Sequence, residues 1–347
     1  MFADNKRISR RQLGRQLLLG LSGIFLLTLP GIPELSGWSG ILGCLLGLVF
    51  LWLYLFFMMR KTAVRGLKEK LPSSVYGIVL FVLMSYLILS GGFMVRNISD
   101  MVSFSLLSDS RPWVIGILFL AASLLGTGRE IQRRGRLGEV ACVPVIGGLL
   151  IFLAAAAFQI DEVNLTEFAA PAFGEILKGA YYIFCSFSIV GLLPFMMHRV
   201  ERPQGSLPKL LTATGMAAFL VLSCLVVIQL LFGEKGAGAK KIPLTALMSS
   251  VNFPGDFLDR FDALWMVFLI FALLYSVGTV LFYGQCLISE NPGIIHGWLL
   301  AAAVFVAAFF SWKGRTVVDI YPMSVRYVYM PLFVVFGLFS GKIRRKI

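Results

Sequence analysis

The sequence predicts an all-α membrane protein of about ten transmembrane helices, arranged as a five-plus-five inverted repeat with breaks in the first and sixth. Three observations predict it. Apolar stretches long enough to span a bilayer recur ten times, basic residues gather in alternate connections between them, and the first helix of each half carries small residues ahead of a Leu-Pro pair.

The chain is 58% hydrophobic and 14% charged, with a mean hydropathy of +0.85, whereas a soluble domain is about 25% charged. A net charge of +13 would suggest nucleic acid if the basic residues formed one soluble face. They lie instead in short clusters between apolar segments, which excludes that class and points to membrane topology. Cys44, Cys142, Cys185, Cys224 and Cys286 fall in or beside apolar runs without C-x-x-C spacing, so they are expected to be buried and structural. His198 and His296 join no Cys/His cluster, so no zinc-type site, catalytic residue or enzymatic activity is expected.

A helix of about 20 apolar residues crosses roughly 30 Å of hydrocarbon. Segments 13–31, 38–58, 75–95, 112–127, 138–158, 176–197, 209–232, 263–284, 294–311 and 327–341 qualify. The first follows KRISRRQLGR and could pass for a signal peptide. No A-x-A-like site follows it and nine more spans do, so it is expected to stay as an anchor. The chain then forms one integral membrane domain, with repeats over residues 1–158 and 159–347. With the N-terminus inside, most of the 31 Lys and Arg fall on cytoplasmic segments, which places both termini in the cytoplasm. Loops 159–175 and 233–260 face out, and their apolar content suggests partly ordered flaps.

Inverted-repeat transporters hold substrate near the midplane, where corresponding helices are interrupted by Gly or Pro. Span 1 has Gly20, Ser22 and Gly23 at its centre and Pro30 beyond; span 6 has Ser186, Ser188 and Gly191, then Pro194. An unwound turn would free N–H groups near Ser22, Gly23 and Ile24 for a carboxylate. Free carbonyls around Cys185, Ser186, Phe187 and Ser188 would suit an ammonium or a cation. The competing explanation is that these small residues serve close helix packing, as Gly40, Gly43 and Gly47 in span 2 do. Tyr86 and Tyr275 stand at depths where they could wall the pocket. Ser276 and Thr279 share a helical face and could hold Na⁺ beside span 1 carbonyls, or could bond back to their own helix. Away from their ends the expected spans carry no ionisable residue, which disfavours a proton relay.

GDFLDRFDALW, 255–265, opens span 8. Asp256 is a plausible N-cap, Asp259 suits the positive end of the helix dipole, and Asp256 can pair with Arg260 at i, i+4. Trp265 is expected at the membrane interface. Arg260 and Asp262 are candidates for structural anchoring or an outer gate.

These features together resemble the spore germination permeases, the B subunits of nutrient germinant receptors in the amino acid, polyamine and organocation superfamily. ISRRQLGRQLLLGLSGIFLLTLPG at 8–31 is similar to that family's basic head and glycine-broken first helix. GREIQRRGRLGEV at 128–140 resembles its stretch between spans 4 and 5, and GDFLDRFDALW its F-x-x-R-x-D-A element. One departure stands out: FCSFSIVGLLPF is neutral and serine-rich where many members carry a glycine and an acidic residue. VACVPVIGGLLIFLAAAAF also lacks the span 5 lysine of some superfamily relatives.

The resemblance implies a LeuT-like fold and a sensor of small nutrients, typically amino acids, in the inner membrane of a dormant spore. It also implies partnership with an A subunit and a C-subunit lipoprotein. The alternative functions are a secondary amino acid transporter working by alternating access, and a membrane scaffold without ligand.

Overall fold

The structure, a computed structural model, describes residues 7–28, 35, 37–61, 73–107, 109–127, 130–158, 171–239, 246–247, 261–289, 294–311 and 313–339. Among them it is nearly all helical. The helices are α1 (Arg10–Thr28), α2 (Gly37–Lys61), α3 (Ser73–Ser105), α4 (Pro112–Thr127), α5 (Ile131–Ala157) and α6 (Phe173–Ser186). They continue as α7 (Leu207–Ala239), α8 (Phe261–Ile288), α9 (Ile294–Phe309), α10 (Val317–Ser324) and α11 (Met330–Phe339). A π-helical stretch, Val325–Tyr329, joins α10 to α11 into one span. Among the described residues, seven spans are long and apolar enough to cross a membrane. α4 and α9 are shorter apolar helices, and α1 is the tenth helical unit at the expected positions.

The basic head has a definite local cause. Ser9 Oγ accepts from the Gln12 N–H at 3.2 Å, and Gln12 Oε1 accepts from the Ser9 N–H at 3.0 Å. This reciprocal capping box starts α1 at Arg10. Just before it, buried Ile8 forms a parallel bridge with Val200: its N–H donates to the Arg199 carbonyl, and the Glu201 N–H donates to its carbonyl, both at 2.9 Å. The chain entering α1 is thereby tied to the chain leaving α6.

α1 lies at the centre, packed by α5, α7 and α8. Leu13, Gln16, Leu19, Leu21, Ser22 and Phe25 are all buried, so burial runs round the helix instead of following one narrow stripe. Close approach is made by glycines. A Cβ on Gly23 would stand 3.1 Å from both the Ala272 carbonyl carbon and Ser276 Oγ of α8. In α2, a Cβ on Gly43 would lie 3.0 Å from Gly179, and one on Gly47 would lie 2.8 Å from the Ala180 carbonyl oxygen. The span 2 glycines therefore seat α2 on α6.

Several expectations need correction. α1 is continuous from Arg10 to Thr28, so the unwound turn expected at Gly20, Ser22, Gly23 and Ile24 is not present in this structure. Here the small residues bring α1 against α8, and Ser22 Oγ donates back to the Leu18 carbonyl at 2.8 Å.

The spans also carry ionisable residues. Arg134 lies within α5, because GREIQRRGR is helical from Ile131 rather than a loop. Arg326 lies within the last span, which begins at Val317, not 327. Its guanidinium stacks on the Tyr182 ring at 3.7 Å, and its carbonyl accepts from the Tyr181 hydroxyl at 2.5 Å. The outer loop expected from 233 is helical to Ala239, redirected at Gly233, whose φ of 66° favours glycine. Trp265, expected at the membrane interface, is buried within the protein at 1% exposure, so its ring packs on side chains and not on lipid headgroups. Asp256, Asp259 and Arg260 lie outside the described residues; Asp262 stands in the first turn of α8.

The α2–α6 contact is testable. Gly47→Leu must displace the α6 backbone and should lower the thermal midpoint of the purified protein, at a cost of about 1–3 kcal/mol. Gly77→Ala, with nothing within 4 Å of its Cβ, should hold or slightly raise it. Equal midpoints for the two variants would show that α2 and α6 do not depend on this approach.

Candidate functional site

The sixth span breaks where its sequence turns serine-rich and meets proline. α6 ends at Ser186, a 3-10 stretch runs from Phe187 to Leu192, and a short helical turn, Leu193–Met196, follows. Pro194 has no N–H to give the carbonyl four residues back. The Val190 carbonyl accepts instead from Leu193, at the tighter spacing. Ser186 Oγ donates to the Tyr182 carbonyl at 2.9 Å. All six residues of the 3-10 stretch are buried, as irregular backbone at membrane depth must be. Gly191 is needed because a Cβ there would sit 2.7 Å from the Phe333 Cβ.

This break faces α3 and the π-helical part of the last span. The hydroxyls of Tyr86 and Ser188 are 2.9 Å apart, both at 1% exposure. Tyr321 Oη donates to Ser90 Oγ at 3.4 Å, and Ser90 stands one helical turn from Tyr86 on the same face of α3, so two buried hydroxyl pairs lie side by side. Around them the Tyr86 ring packs edge-on to Tyr329 and Phe333, with centroids at 5.4 and 5.0 Å. Phe25 of α1 meets Phe187 at 4.4 Å.

The arrangement offers neutral hydroxyls to a carboxylate or an ammonium, and aromatic faces to a cation or an apolar group. Because these side chains pack on one another, a ligand reaches them only if the 3-10 stretch or the π-helical stretch moves. Mid-helix 3-10 stretches often mark functional hinges, and π-helical turns recur at functional sites.

The remaining predicted residues form a second group across α1 and α8. Ser276 Oγ lies 3.0 Å from the Gly20 carbonyl oxygen and 2.8 Å from that of Ala272, so its one proton is shared between the two helices. Thr279 Oγ1 donates to the Tyr275 carbonyl at 2.8 Å. Both hydroxyls thus bond back to their own helix, and Ser276 also reaches span 1.

Arg134 was not among the predicted site residues, yet it joins this group. Its Nη2 donates to the Tyr275 carbonyl at 2.5 Å and to Thr279 Oγ1. Its guanidinium carbon stands 4.4 Å from the centre of the Tyr275 ring. At 2% exposure it forms no ion pair among the described residues, and its Nε has no hydrogen-bond partner among them. The sequence did hold a signal: Gly135 and Gly138 continue a packing face through GREIQRRGRLG, and a Cβ on Gly138 would lie 3.0 Å from the Tyr275 ring. Four residues before Gly138, Arg134 follows the same helical side toward α8.

The sequence matches the family described as Spore germination protein across residues 16–314. It is 24% identical over 215 residues to "Spore germination protein YndE" of Bacillus subtilis (strain 168), covering 60% of this chain and 58% of that protein. It is 25% identical to "Spore germination protein B2" of the same organism, covering 94% of this chain and 93% of that one. The chain thus spans a little over half of the first relative and nearly all of the second. A Na⁺-coupled sialic acid symporter, solved in a substrate-bound outward-open state, superposes with a TM-score of 0.58 over 99% of this chain and 78% of that one. At 13% identity that likeness concerns the fold.

The Tyr86–Ser188 contact should show in a double-mutant cycle. Tyr86→Phe and Ser188→Ala should couple by at least about 0.5 kcal/mol in unfolding free energy. Additive losses would mean that the two hydroxyls do not support each other.

Proposed function

The chain belongs to the spore germination protein family, and on that premise we propose that it is the membrane subunit of a nutrient germinant receptor. It binds a small nutrient, an amino acid, between the α6 break, α3 and the π-helical stretch. One observation carries this reading: the break places Ser188 against Tyr86 inside an aromatic enclosure. Binding shifts the balance between closed and open arrangements, and it does so only as far as the ligand prefers one of them. An A subunit and a C-subunit lipoprotein read out that shift in the spore inner membrane, with both termini of this chain in the cytoplasm. The fold likeness to a symporter supports a second reading, a secondary amino acid transporter working by alternating access.

The guanidinium of Arg134 supplies a fixed positive charge at Thr279, one of the two hydroxyls otherwise suited to Na⁺. The receptor needs no sodium on this reading.

Three measurements test the proposal. In proteoliposomes holding this chain alone, radiolabelled amino acid should bind without gradient-driven accumulation; robust accumulation would establish the transporter. Gly23→Leu, which forces α1 from α8, and Ser188→Leu, which fills the enclosure, should each abolish the germination response while the protein stays inserted. A normal response in Ser188→Leu displaces the pocket from the α6 break, and one in Gly23→Leu shows that the response does not depend on the α1–α8 approach. Replacing Na⁺ by choline should leave the response to nutrient unchanged, and a requirement for Na⁺ would return Ser276 and Thr279 to the role of ion ligands.

A further inference from the structure

A groove of about 330 Å³ opens between the first halves of α1 and α7. Its α1 wall is Arg11, Arg15 and Leu18, and its α7 wall includes Lys209 and Met216. On α1 these residues recur at i, i+4 and i+7, so they line one helical face. On both helices the lining passes in the same direction, from basic residues at the helix start to apolar residues one to two turns on. The helices nearly touch behind it, where a Cβ on Gly14 would lie 3.1 Å from the Lys209 carbonyl oxygen. Both helix starts fall on the side that the Lys/Arg bias assigns to the cytoplasm.

The charges are unbalanced. Glu139 faces the basic end from α5, with Oε1 3.2 Å from both Arg11 Nε and Arg15 Nη1. Lys209 has no ion pair among the described residues. Three cations thus meet one carboxylate beside an apolar channel, with Met216 at 48% exposure. We propose that this groove binds an anionic phospholipid of the cytoplasmic leaflet, its phosphate between Arg11, Arg15 and Lys209 and an acyl chain along Leu18 and Met216. Arginine forks suit phosphate oxygens, and basic recesses between spans at this depth suit lipid headgroups. A soluble phosphate would leave the apolar half of the groove without a partner. The headgroup competes with Glu139 for the two arginines, so lipid charge bears on how α1 is held to α5. This inference rests on the membrane orientation and not on the nutrient site, so either can fail alone.

Native mass spectrometry and thermal melting of the full purified chain test it, with palmitoyl-oleoyl phosphatidylglycerol and the matching phosphatidylcholine as probes. Phosphatidylglycerol should be retained and should raise the midpoint, whereas phosphatidylcholine should do neither. Arg15→Gln and Lys209→Gln should each weaken retention about fivefold, as expected for one basic group at a membrane surface. Glu139→Gln, which frees both arginines, should strengthen it. Equal retention of the two lipids, or unchanged retention in the two basic variants and in Glu139→Gln, overturns the proposal. Millimolar inorganic phosphate reproducing the shift would identify a soluble-anion site and overturn the lipid assignment.

Discussion

A helix with Gln16 and Ser22 along its length and three arginines in its first two turns is poorly suited to lipid, and the whole architecture follows from enclosing it. α5, α7 and α8 surround α1, so its polar groups meet protein: Gln16 Oε1 accepts from the Tyr283 hydroxyl at 3.1 Å, and the Gly20 carbonyl meets Ser276. Enclosure demands close approach, which Gly14 and Gly23 permit, and it demands an anchored start, which Ile8 and the Ser9–Gln12 capping box provide. The basic head is therefore a structural device as well as a topological signal. Its arginines reach across to α5 and to the loop after α6, where Arg10 Nη1 donates to the Gly205 carbonyl at 3.0 Å.

The same enclosure makes the α6 break tolerable. A 3-10 stretch exposed to hydrocarbon would leave carbonyls and N–H groups unpaired, at several kcal/mol each. Buried against α3, Phe25 and Phe333, it becomes a place where hydroxyls and aromatic rings converge. Rigidity and site thus have one origin. The π-helical stretch opposite supplies the other wall, so both sides of the candidate pocket are made from departures from regular α-helix.

Much of this was legible in the sequence, because hydropathy runs and prolines act locally. The positions of the helices and the break at SFSIVGLLP both follow from segments a reader can take one at a time. What was not legible depends on pairing across the chain. LSG in α1 and SFS in α6 look equivalent as strings, yet the first packs on α8 and stays helical while the second meets Pro194 and breaks. Arg134 was hidden in a basic stretch that reads as cytoplasmic, since hydropathy cannot tell an arginine facing water from one capping a threonine on another helix. Likewise Asp319, Pro322 and Arg326 dilute the start of the last span, so its apolar signal begins ten residues late.

The contact between Ser276 and Gly20 joins residues 256 positions apart, and this has a consequence for biosynthesis. α1 leaves the ribosome well before α8 and is poorly able to rest in lipid alone, and its α8 partner follows by 256 residues. At about 5–20 residues per second, the wait is roughly 10 to 50 s. During that interval the polar groups of α1 have only the insertion machinery, water at the membrane edge or an early partner such as α5 to satisfy them. Cells that make this protein must shelter an unfinished helix for much of its synthesis, and losses in yield from changes in α1 or α8 would arise there, before any ligand is met.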